Sequence, residues 1–394
     1  MVGTLDTRST REPYLDLVLV KLADAVASIF TIAVNKNCDE LMVTLMGPSD
    51  KMTRIFKVMV SCFHELERRI TPTLYDNVVE EILNRLDEEK ANPEKFTGKL
   101  LQLILDKHIC SRRTYAQSFT NNVTTREHLI EFITRFKSEM KIEVQLSGCV
   151  SKQDAKIVSK TVRALKFEAR NKTRRQRIGR NQRLQLPEDG REWSFKKNAF
   201  NPFEAHNWVL NYYQIGVEIG DAYAAYKIVE NLHDEVYYFL RGEKQIGYIV
   251  EADLIRPHSV WGLTIRVNAL AYRFTSEYVE TQIDHFLSHY FHKCIMNRAY
   301  FNEHINTDGQ VAWAFAKKFF ANYFLQGGQH FKKLSVHIDG YVDGVPPSLR
   351  WNPTVVPLPG KKRVTVIKDM FQFKRDLIPY ENPGGDDGNS SDEE

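Results

Sequence analysis

The chain has little of what marks a secreted, membrane-spanning or metal-stapled protein. It carries five cysteines in 394 residues, Cys38, Cys62, Cys110, Cys149 and Cys294. Their odd number and wide spacing give no CxxC pair and no Cys/His cluster. That pattern argues against a zinc finger or a disulfide scaffold and fits reduced thiols in the cytoplasm. No run of about 18 uncharged apolar residues is present, so no membrane span is expected. The opening stretch MVGTLDTRSTREPYLD has no apolar core of a secretory signal. Charge of one sign is not in excess: 54 Lys and Arg face 50 Asp and Glu, a net of +4. G-x-S-x-G and phosphate-loop patterns are also missing, and the pairs Gly327-Gly328 and Gly384-Gly385 read as loops.

What is present is an ordinary globular composition, 43% apolar and 26% charged, long enough for two or three domains. Two stretches depart from it. Residues 163–183 carry nine Lys and Arg against one Glu, and they read as a helix end running into a linker. The last twelve residues, PGGDDGNSSDEE, are acidic and free of large apolar side chains, which predicts a disordered tail. Ser390 and Ser391 precede an acidic triplet, as acidophilic kinase sites do.

Before the linker, Leu15, Val18, Leu19, Leu22 and Val26 keep helical spacing. Short strands are predicted at Ile29–Val34 and Leu41–Met46. Helices are predicted near 50–68, 73–90, 95–109 and 126–137, then a strand over Ile142–Leu146. Ser151 is placed to cap a helix over 152–168. After the linker, 207–218 reads as a strand. Asp221 caps a helix with Ala225, Ile228, Val229, Leu232, Val236 and Leu240 on one face. Gly242 falls where a left-handed residue closes a helix. Two alternating strands joined by Arg256–Ser259 follow, then helices near 275–295 and 310–325 and a strand over Leu334–Ile338. The fold class this implies is α+β: two related α/β rolls, each a mostly antiparallel sheet with helices packed on one face.

Metal-ligand patterns are sparse. Among twelve histidines, only His64 (HELER) and His128 (HLIEF) have Glu three residues on, and Arg68 and Phe132 stand where a second ligand is needed for H-x-x-E-H. His285, His289 and His292 share one helix face at spacings of four and three, as a metal site requires. The apolar stripe of that helix lies on the other side, so a solvated face is the plainer reading.

Several phrases, in order, resemble one family. They are LMVTLMGPSDKMTRIFKVMVSCFHELE, VQLSGCVSKQDA, RLQLPEDGREW, NYYQIGVEIG, KIVENLHDEVYYFLRGEKQIGYIV and LSVHIDGY. Across roughly residues 13–342 they are similar to the third and fourth domains of insulinase/pitrilysin-type zinc metallopeptidases, the nardilysin and insulin-degrading-enzyme group. The resemblance implies a clam-like pair of halves closing on a peptide, with zinc held by the other, N-terminal half. It divides the chain into an N-terminal extension (1–12), a third-domain-like module (13–168) incomplete at its start, a basic linker (169–189), a fourth-domain-like module (190–345) shortened near 296–310, and a C-terminal extension (346–394).

The resemblance also implies roles in LRGEKQIGYIV. Arg241 would bind substrate backbone, and Tyr248 would donate a hydrogen bond to the scissile carbonyl. Gly242 and Gly247 would permit the backbone that aims both. From the residues alone, Arg241 is a cation at a helix C-terminus and Tyr248 a strand aromatic. The function expected is a half-peptidase that binds peptide, has no cofactor of its own and needs a zinc-bearing partner. Two alternatives stay open: a regulator that pairs with an active paralogue or itself, and an adapter holding a polyanion on its basic linker. The linker offers no aromatic beyond Phe167 for base stacking, which weighs against nucleic acid.

Overall fold

The structure, a computed structural model, describes residues 2–4, 31–37, 40–46, 49–164 apart from 108, 110, 111, 122, 140 and 141, then 182–342 and 364–380. The helix expected along Leu15–Val26, most of the basic linker and the acidic tail lie outside the described residues. The chain divides into two compact units, Met1–Glu88 with His108–Asn181, and Glu89–Lys107 with Gln182–Glu394. Residues 89–107 therefore go with the second unit although the sequence places them inside the first module.

In the first unit, strands β1 (Val2–Thr4), β2 (Thr31–Asn37), β3 (Glu40–Met46) and β4 (Ile142–Glu143) form an antiparallel sheet in the order β2-β3-β1-β4. The expected strand over Ile142–Leu146 is thus shorter than its alternation suggests. The helices are α1 (Ser49–His64), α2 (Leu66–Arg69), α3 (Pro72–Ala91), α4 (Pro93–Leu105, part of the second unit), α5 (Arg112–Thr120), α6 (Arg126–Glu139) and α7 (Lys152–Arg163). Phe56, Val60 and Phe63 from α1 meet Phe132, Ile133 and Phe136 from α6 and Val158 from α7 in one core. Ser151 caps α7 in a reciprocal capping box with Asp154.

The second unit is built on strands β5 (Glu192–Asn198), β6 (His206–Gly216), β7 (Gly247–Ile255), β8 (Trp261–Leu270), β9 (Lys333–Asp339) and β10 (Val364–Val366), in the order β10-β5-β9-β6-β8-β7. Pairing is antiparallel from β9 to β7 and parallel at β5–β9 and β10–β5. Helix α8 (Ala222–Tyr237) lies between β6 and β7, helices α9 (Ser276–Tyr290), α10 (Arg298–Tyr300) and α11 (Trp313–Phe324) between β8 and β9, and a short α12 (Met370–Arg375) comes last. Ile228, Leu232 and Val236 of α8, Ile283 and Phe286 of α9 and Phe320 of α11 pack on Val209 and Tyr213 of β6 and Ile265 and Val267 of β8. Each such aliphatic side chain stabilises the fold by about 1.5–3 kcal/mol when fully buried.

The opposite face is covered as well. Arg266 lies between Ile265 and Val267, so it points away from that core, and it meets Glu94 of α4 at 3.4 Å. Beneath α4, Arg183 and Asp106 form a buried ion pair at 2.6 Å. Strand β6 is accordingly buried along almost its whole length. Among the described residues β7 is an outer strand. There, Nδ1 of His233 on α8 lies 2.9 Å from the Ala252 carbonyl oxygen and 3.3 Å from its backbone N.

Candidate functional site

The stretch from Tyr238 to Tyr248 leaves regular geometry three times in succession. Asp221 caps α8 through the Ala224 N–H, and the helix runs regularly to Tyr237. Over Tyr238–Glu243 it widens into a π turn, in which Lys244 N–H donates to the Phe239 carbonyl at 2.9 Å. Such turns insert a residue without ending a helix and are frequent at functional sites. The left-handed residue that closes this helix is Gln245, with φ 52°. Gly242 is not left-handed, which corrects the sequence expectation: the π turn displaces the closing position, and a Cβ at 242 would make an ordinary 3.5 Å contact with the Tyr238 ring.

Gly247 also serves differently from the expectation. Its φ is not in the left-handed region. A Cβ there would lie 2.4 Å from the Asn268 carbonyl oxygen and 2.9 Å from Val267 Cγ1. Close approach of two strands, not an unusual dihedral, demands glycine. Immediately after it the β7–β8 register slips, pairing Gly247 with Ala269 but Val250 with Val267. Tyr248 and Ile249 thus oppose Asn268 alone, which is a β-bulge.

These irregularities bring Arg241 and Tyr248 together. The guanidinium carbon lies 5.0 Å from the Tyr248 ring centroid, within cation–π range. Arg241 spends one donor on the Gly247 carbonyl at 3.3 Å and keeps the rest of its fork. Tyr248 is 72% exposed, and its hydroxyl has no hydrogen-bond partner among the described residues. The pair can offer a planar cation and a neutral O–H donor to one polypeptide backbone. Tyr237 and Tyr238, on the same turn, are exposed too. Sequence reading assigned neither a role, since a tyrosine on a helix gives no periodic signal beyond polarity.

The three histidines of α9 and the turn after it do not converge. His285 and His289 lean on the ring of Phe239, at 5.9 and 5.3 Å, while His292 packs on Phe291 at 5.4 Å. Nor do the residues of HELER form one helix face, because α1 ends at His64 and α2 starts at Leu66.

Among the described residues, one group of three ligand-type side chains comes within 4.8 Å: Glu192, Glu280 and Asp284. An ammonium already occupies their centre. Lys333 Nζ lies 3.0 Å from Glu192, 2.8 Å from Glu280, and 2.8 and 2.9 Å from the two oxygens of Asp284. Burial pushes the Glu280 carboxyl upward, but Lys333 and then His337 overcome it and hold it well below the carboxylate range. Burial alone would lower Lys333, yet Glu280, Tyr213 and Glu192 raise it above the usual lysine range. Burial drives the Tyr213 phenol up to about 12. An all-oxygen set neutralised by a lysine does not fit zinc.

No family model matches the chain. Its sequence is 23% identical to human nardilysin over 250 residues, covering 63% of this chain and 21% of that protein, and mouse nardilysin matches to the same extent. Among solved structures, pitrilysin superposes with a TM-score of 0.64 at 10% identity, over 97% of this chain and 44% of that one. A peptidase M16 inactive domain from Pseudomonas fluorescens superposes at 0.61 with 12% identity, over 86% and 92% of the two chains. The fold is therefore that of pitrilysin-type peptidase domains. Fold and sequence likeness agree on the C-terminal half of an insulinase/pitrilysin-type peptidase, nardilysin-like in sequence. The chain spans about a fifth of the length of the curated relatives it matches.

Proposed function

We propose that this chain is the non-zinc half of an insulinase-type endopeptidase, which binds extended polypeptide and completes a chamber whose metal sits on a partner half. The observation that carries the reading is the Arg241–Tyr248 pair, adjacent, accessible and short of partners on a scaffold that distorts two elements to present it. The free N–H groups of Arg241 take substrate carbonyl oxygens and fix the backbone. The Tyr248 phenol donates to the scissile carbonyl oxygen and holds it more tightly as negative charge gathers there. Zinc in the partner would supply the activated water. The partner that fits is a zinc-bearing half in the cytoplasm; a homo-oligomer is the other assembly to look for.

The test uses the purified chain and dye-labelled β-casein, a natively unfolded polypeptide. The chain should bind it without cutting it, and Arg241→Ala with Tyr248→Phe should weaken binding. Chelator-sensitive cleavage by the chain alone would overturn the reading, as would equal binding by the double variant. In an assembled enzyme, Tyr248→Phe should slow turnover by about 10²–10³, the usual effect of removing one such donor, and leave assembly unchanged.

A further inference from the structure

We infer that Asn268 is a positioning residue for Tyr248, resting on the role just proposed for that tyrosine. Asn268 is 6% exposed on β8 and never reaches the surface where a polypeptide would lie. Its side-chain oxygen accepts from two successive backbone groups, Tyr248 N at 3.0 Å and Ile249 N at 2.7 Å. Those are the two bulge residues that oppose it. In a regular antiparallel ladder one N–H would face a main-chain carbonyl and the next would face outward. Here both turn inward onto one amide oxygen. The two-against-one register is held open by a side chain, not by the ladder.

The consequence falls on the phenol. Side chains along a strand alternate between faces, and a bulge resets that alternation. Tyr248 is exposed, while Val250 two residues on is buried. In a regular strand residues two apart share a face. The bulge separates them, sending Val250 into the core and Tyr248 out beside Arg241. Gly247 meets a different atom of the same residue: a Cβ there would run into the Asn268 main-chain carbonyl oxygen at 2.4 Å. An asparagine serving only to fill β8 would not need its amide oxygen to take both bulge N–H groups.

The experiment is a double-mutant cycle on β-casein binding by the purified full chain, read by fluorescence anisotropy with thermal unfolding alongside. Asn268→Ala should weaken binding about tenfold, the scale of two lost hydrogen bonds. Asn268→Asp keeps an acceptor in place and should restore most of it. In a Tyr248→Ala background, Asn268→Ala should weaken binding no further, because the asparagine acts through the ring that has been removed. If Asn268→Ala does not fold, Asn268→Gln replaces it, moving the oxygen by one methylene while keeping the amide.

A merely structural asparagine would lower the unfolding temperature and leave affinity alone, or would weaken binding equally in both backgrounds. Either result overturns the inference while leaving the role of Tyr248 standing. Tyr248→Ala binding like the wild type would instead overturn that role, and the positioning role with it.

Discussion

Two cations of the second unit, Lys333 and Arg241, contrast in a way that separates a charge kept for structure from one kept for contact. Lys333 is fully buried, and three carboxylates surround its ammonium. The same carboxylates accept further hydrogen bonds, from Tyr213 on Asp284 Oδ1, Ser335 on Glu280 Oε1 and Gln326 on Glu192 Oε1. Arg241 is half-buried, uses one of its donors on its own chain and stacks on a phenol that uses none. Saturation, more than charge, tells the two apart. The first arrangement locks α9 to β5 and β9. The second leaves binding capacity at the surface and relies on backbone irregularity to aim it.

That contrast can be broken at its strongest point first. Lys333→Met leaves three carboxylates facing one another without their cation. Loss of about 3–5 kcal/mol is expected, read by chemical denaturation. A variant as stable as the parent would show that the cluster tolerates an apolar centre. Acid should act through the same group. The folded Glu280 carboxyl is depressed, so its contribution is present above the unfolded glutamate value of about 4.3 and is lost as pH falls through the folded value. Unfolding temperature should therefore drop steeply below about pH 4, and less steeply in Glu280→Gln.

Smaller effects sharpen the other side. In the first unit, Ser151→Ala removes the capping box of α7 and should destabilise that unit by about 1 kcal/mol. Tyr248→Phe should change stability least, within about 0.5 kcal/mol, because an exposed hydroxyl without a partner holds nothing in the fold. A larger loss there would move Tyr248 from the contact class to the structural one.

Much of this architecture was legible in the residues. Alternation at Trp261–Ala269 and helical spacing at Ala225–Leu240 mark a strand and a helix, and both elements stand where that spacing puts them, although β8 is buried on both faces. Strand β5 was not legible, since Glu192-Trp-Ser-Phe-Lys-Lys-Asn mixes charged and apolar residues on a strand whose Glu192 is buried against Lys333. Strand β10 is three residues long, too short for any period to show. The π turns after α8, α9 and α10 use residues as helix-compatible as their neighbours, so they leave no trace in composition.

For the site, the arginine and tyrosine were legible through family resemblance, and their adjacency was not. It depends on Gln245 taking a conformation that favours glycine and on Asn268 in another strand. Neither interaction is local enough for a spacing argument to reach.

One consequence lies at the outer rim of the second sheet. A bare outermost strand offers its N–H and C=O groups to any passing chain and is a seed for self-templated stacking. At Ala252 both of those groups face a single imidazole nitrogen of His233. That nitrogen can donate to the oxygen or accept from the amide, one at a time. Either tautomer engages backbone groups that a further strand would pair with, so α8 covers this one point of the strand's outer edge.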